Sequence, residues 1–155
     1  MTAQSAVRIA LAFVAAVLAT YVVGCIAATQ GALGMLPAIA QPIAMDVRLT
    51  TTMQDLVGML PAYAPLIAAA LVAGFMVARV IVSRLPSLRT LGYVLAGATA
   101  MLAMHLIMPI TIDGIVPVAA TRSTIGLLLQ VMAGGVGGWL FARLTAMQPL
   151  ANTES

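Results

Sequence analysis

The chain has 155 residues, of which 63% are hydrophobic and only 7% charged, and its mean hydropathy is +1.12. Soluble domains carry about 25% charged residues, so this chain cannot cover a water-facing surface, and lipid is the solvent its composition fits. The net charge of +3 arises from seven arginines, no lysine and four acids; it is too small and too scattered for a nucleic-acid surface and serves instead to set topology.

In chain order, the first predicted element is a transmembrane span over residues 9–28. Arg8 followed by an apolar run resembles a signal peptide, and Val22-Val23-Gly24-Cys25 resembles a lipobox that would place a lipid on Cys25. The run exceeds the ~7–15 residues of a signal h-region, so an uncleaved span is expected. As the lone cysteine, Cys25 permits neither an intrachain disulfide nor a multi-cysteine metal site.

Residues 29–61 form a long first outer loop. Its second half carries Met53, Leu56, Val57 and Leu60 on one helical face. Thr51 with Gln54, or Thr52 with Asp55, offers a capping box for its start. Pro61 and Pro65 interrupt the helical ladder where the next span begins. A short amphipathic helix at the outer interface is predicted, with a functional lid as the alternative.

Further spans are predicted over 62–82, 91–112 and 125–144. The connections Ser83–Thr90, with Pro86, and Asp113–Thr124, with Gly114 and Pro117, are short enough to make each pair of spans a hairpin. The fold expected is an all-α integral membrane protein: an antiparallel four-helix transmembrane bundle with a short amphipathic helix in the first outer loop, all in one domain. With the N-terminus inside, Arg8, Arg79, Arg84, Arg89 and Arg143 are cytoplasmic and Arg48 and Arg122 are outside. The positive-inside rule therefore favours both termini in the cytoplasm. Tyr63, Tyr93 and Trp139 lie near span ends, as an interfacial aromatic belt requires. Arginine without lysine in an alanine-rich chain points to a high-GC bacterium, hence an inner membrane.

Lipid tails give helices no hydrophobic reason to associate, so small residues must let them approach. Ala12, Ala16, Thr20, Gly24 and Ala28 form one such stripe; Ala70, Gly74 and Ala78 a second; Gly92, Ala96 and Ala100 a third. Gly134 and Gly138, inside Gly134-Gly135-Val136-Gly137-Gly138, form the sharpest, read as internal helix packing or as a partner interface.

Polar groups inside a span are costly and therefore informative. Tyr21, His105 and Gln130 come from three spans and share a depth about 8–10 Å below the outer surface, at ~1.5 Å per residue. They are expected either to tie helices together or to line an outward-facing polar pocket with Asp55 or Asp113 at its mouth. No nucleophile elbow, P-loop or paired carboxylates within a span appear, and one histidine provides no haem or metal ligand set. The expectation is no catalytic residues, no cofactor and no metal. Three functions remain open. The leading one is a non-catalytic accessory, assembly or interaction subunit of a membrane complex, with the bilayer, copies of itself or a complex partner as its contacts. An oligomeric small-molecule or ion transporter comes next, and a membrane enzyme acting on lipid or quinone at the outer leaflet last.

Overall fold

A computed structural model describes residues 3–35, 44–111 and 123–146. The described chain is helical: α1 (Ala3–Met35), α2 (Met45–Gly58), α3 (Leu60–Arg84), α4 (Arg89–Thr111) and α5 (Thr124–Ala146). Four of these helices, α1, α3, α4 and α5, are long and apolar enough to cross a membrane. Asp113, Arg122 and the expected 113–124 hairpin connection, apart from Ser123 and Thr124, lie outside the described residues.

α1 is longer than expected and runs seven residues past 28, to Met35. α2 begins earlier than the predicted capping boxes. Thr51 and Thr52 sit inside it and donate back to Val47 O and Arg48 O, each at 2.8 Å, rather than capping its start. Ala44 precedes the helix without a side-chain cap, and Asp46 lies in the first turn, where a carboxylate meets the positive end of the helix dipole. α2 and α3 meet at Met59. Its N–H donates to Asp55 O at 2.9 Å and its carbonyl accepts from Tyr63 N at 2.8 Å, so helical bonding continues across the junction. Pro61 has no N–H to offer Val57 O, which is why the rod breaks there. At the other end of α3, Pro86 opens a 3₁₀ turn, Pro86–Leu88, that delivers the chain directly into α4.

α5 packs along both α1 and α4; α4 also packs on α3, and α1 reaches α2 and α3. The expected α1 stripe is buried as a unit: Ala12, Ala16, Thr20, Gly24 and Ala28. On α3 the core side is not the small-residue stripe but a row of large residues, Tyr63, Ile67, Leu71, Phe75 and Val82, joined by Ala78. On α4 the buried residues are Tyr93, Gly97, Ala100, Met101, His105 and Met108, so of the predicted stripe Ala100 is buried while Gly92 and Ala96 are half-buried.

The chain's three phenylalanines come from three different helices, and two of them, Phe75 and Phe141, meet Tyr93 from a fourth. Phe75 and Phe141 stack with centroids 4.6 Å apart, Tyr93 packs edge-on against both, and Phe13 contacts Phe75 at 6.3 Å. Tyr93 and Tyr63 are therefore core residues, 8% and 3% exposed, and not members of an interfacial belt. Trp139 is exposed, with the Arg143 guanidinium 5.6 Å above its ring.

The α4–α5 seam brings backbone against backbone. A Cβ built on Gly134 would run into Gly97 O, one on Gly97 into Gly134 O, and one on Gly138 into Tyr93 O. Gly137 leaves room for Thr20 of α1, and a Cβ there would also sit 2.9 Å from Ala16 O. Gly135 differs from its neighbours: its nearest contact would be Val94 Cγ1 at 3.7 Å, an ordinary separation.

Candidate functional site

Tyr63 stands in the first turn of α3 and points into the bundle. Its hydroxyl donates to Gln130 Oε1 on α5 at 3.0 Å and lies 3.0 Å from His105 Nε2 on α4. Gln130 Nε2 donates in turn to Gly24 O on α1 at 2.8 Å. A Cβ at position 24 would stand 2.8 Å from Gln130 Oε1, so any larger residue there would push the carboxamide from its place. The imidazole is held from its other side, with Nδ1 2.8 Å from Met101 O, one turn back on the same helix. Four spanning helices thus contribute to one chain of contacts, with Gln130 fully buried and His105 6% exposed.

A second polar group joins α1 to α2. Tyr21, whose ring lies 6.2 Å from that of Tyr63, donates its hydroxyl to Leu56 O at 2.7 Å. Thr29 Oγ1 donates to Asp55 Oδ2 at 2.7 Å, and its own helix supplies Cys25 O at 3.0 Å. Gln30 Nε2 donates to Thr52 Oγ1, and Arg48 donates to Gln30 Oε1 at 3.1 Å. α2 therefore turns its polar side toward α1. Met45, Val47, Leu49, Met53 and Val57 face outward together with Asp46, Thr50 and Gln54, so the outer surface of α2 is mixed apolar and polar. Cys25 is fully buried between these two groups.

Of the residues singled out from the sequence, His105 and Gln130 converge, bridged by Tyr63; Tyr21 joins them through its ring. Asp55 belongs to the α1–α2 group, Gly134 and Gly138 form the α4–α5 seam, and Asp113 lies outside the described residues. Tyr63 was missed as a site residue. Its place near a span end suggested an interfacial role, and only the rotation of α3 about its own axis brings the hydroxyl to His105. Among the described residues the Thr20 hydroxyl is a buried side-chain oxygen with no hydrogen-bond partner, and no group of three or more His, Cys, Asp or Glu residues is close enough to hold a metal ion.

The opposite end of the bundle collects guanidinium groups. Arg8 at the start of α1 donates to Leu144 O at 3.1 Å. Arg89 at the start of α4 donates to Ala142 O at 2.9 Å and to Thr145 Oγ1 at 2.6 Å. These carbonyls lie near the end of α5, where the helix dipole is negative.

A groove of about 800 Å³ runs between α3 and α4 on the outside of the bundle. Its lining includes Ala70, Gly74 and Ala78 from α3 and Gly92, Ala96 and Ala100 from α4. Gly74 sets the close approach of the two helices, since a Cβ there would stand 2.8 Å from Ala96 O. Thr99 is the hydroxyl in the groove, and it donates to Leu95 O of its own helix at 2.8 Å.

These features define a membrane-spanning helix bundle with a buried polar core. No family model, no curated protein and no solved structure matches this chain.

Proposed function

We propose that this protein is a non-catalytic accessory or assembly subunit of a membrane complex, and that its α3–α4 groove receives one transmembrane helix of a partner chain. The groove carries the reading. It extends from Leu66 to Leu85 along α3, about 30 Å at ~1.5 Å per residue, which matches the hydrocarbon thickness of a bilayer. Its floor of alanine and glycine suits close backbone approach, the way helices associate in lipid. Its one hydroxyl is already bonded within α4, so it offers no polar handle to a small substrate.

The arrangement proposed is antiparallel, with both termini at the cytoplasmic face of a bacterial inner membrane. The Arg8 and Arg89 contacts to the end of α5 support it, because they put the starts of α1 and α4 beside the end of α5. α2 then lies at the outer side.

Ala73 is an exposed wall of the groove, and Ala73→Trp fills it without touching the core. Purified under native conditions from the membranes of its own organism, the wild-type chain is expected in a discrete complex with a second, different membrane chain. The variant is expected to lose that chain while keeping its own melting temperature. Wild type recovered alone or only with copies of itself refutes the reading, and so does a complex indifferent to Ala73→Trp. The buried chain of polar groups favours a second reading, a small oligomeric transporter, which proteoliposome flux measurements test.

A further inference from the structure

The contacts around Tyr63 do not balance in hydrogens when every group is neutral. Gly24 O and Met101 O are carbonyl oxygens, which only accept. Gly24 O takes its hydrogen from Gln130 Nε2, and this fixes the carboxamide with Oε1 toward Tyr63. Oε1 also only accepts, so it claims the single hydroxyl hydrogen of Tyr63. Met101 O claims a hydrogen from His105 Nδ1. The contact between Tyr63 Oη and His105 Nε2 then has none left, because a neutral imidazole carries one. Rearrangement only moves the defect. Turning the carboxamide sets Oε1 against Gly24 O. Shifting the imidazole hydrogen to Nε2 sets a lone pair against Met101 O, and swinging the Tyr63 hydroxyl toward Nε2 leaves Oη facing Oε1.

We propose that this chain of side chains is a proton-binding site, filled when a proton adds to the lone pair of His105 Nε2. The contacts then run in one sense: Nε2 donates to Tyr63 Oη, Tyr63 donates to Gln130 Oε1 and Gln130 Nε2 donates to Gly24 O, while Nδ1 donates to Met101 O. The opposing effect is the hydration lost by a charged ring in a buried place, and satisfied contacts on both ring nitrogens offset it. Of the neighbouring titratable groups, Tyr63 faces the ring from α3; Tyr21 and Cys25 follow on α1 and Asp55 on α2, while α5 presents Gln130, which does not titrate. Tyr63 ties α3 to α4 and α5, and α3 is the least buried of the four spanning helices. Proton occupancy therefore sets how firmly α3 is seated.

His105 is the only histidine, so nitrogen-15 labelling of histidine in the full chain, in detergent or bilayers, reports this ring alone. At about pH 5, low enough to load an ordinary imidazole, the wild-type ring is expected to carry hydrogen on both nitrogens. Tyr63→Phe removes the acceptor for Nε2, and Gln130→Leu frees the Tyr63 hydrogen to turn toward Nε2. Each variant that folds, judged by helical circular dichroism and monodisperse elution, is expected to lose the second hydrogen at the same pH. A wild-type ring with one hydrogen overturns the proposal, as does a folded variant that retains both.

Discussion

Substituting alanine at Gly134 and at Gly135, adjacent residues in the same glycine cluster, separates the two by sign. At Gly135 the added methyl meets Val94 Cγ1 at 3.7 Å and needs no adjustment; removing a helical glycine then stabilises by at most about 1 kcal/mol. At Gly134 the methyl runs into Gly97 O, a backbone atom that no rotamer change can move aside. The two helices must part by about 0.5–1 Å, which forfeits about a quarter to a half of each dispersion contact of ~0.1–0.2 kcal/mol. Over a seam on the order of 40 atom pairs this amounts to roughly 1–4 kcal/mol, which brackets the ~1–3 kcal/mol measured for overpacked cores. The helix-propensity gain is common to both variants, so Gly134→Ala is expected to be less stable than Gly135→Ala by about 1–4 kcal/mol. Equilibrium unfolding in detergent, followed by circular dichroism, measures the difference. Equal stability of the two variants within about 0.5 kcal/mol would refute backbone contact at this seam.

Arg89→Ala removes two hydrogen bonds and a positive charge from the end of α5, and is expected to cost about 1–2 kcal/mol and to speed amide exchange in the last turn of α5. Arg89→Lys keeps the charge but not the paired donors, so an intermediate loss is expected; stability and exchange unchanged in both variants would dismiss the contact. Cys25, fully buried in α1, is expected to resist a maleimide in the folded protein and to react once the chain is unfolded. Rapid labelling under native conditions would contradict its burial.

The spanning helices were legible because their signal is long and local: some twenty apolar residues without an acid have no other stable environment. The matching height of His105 and Gln130 along the bundle was legible too, since rise per residue converts position into height, and the two meet through Tyr63. Azimuth was not. Nothing in the four stripes of small residues said which way each would turn: the α1 stripe and the Gly134 and Gly138 pair became close seams, while on α3 Ala78 went into the core and Gly74 met Ala96 beside an open groove. The side that α2 turns to the bundle was not legible either: an amphipathic face signals a helix, but which side turns inward depends on whether the surroundings are water or lipid.

Composition alone determined that this chain belongs in a membrane and that its backbone must bond within helices, because unpaired peptide groups are too costly in hydrocarbon. Tertiary structure alone decided which glycines touch, which aromatic residues are core, and that Tyr63 links His105 to Gln130. Those facts depend on how each helix is rotated about its axis, and rotation is set by the fit of one helix against the next rather than by the order of residues within either.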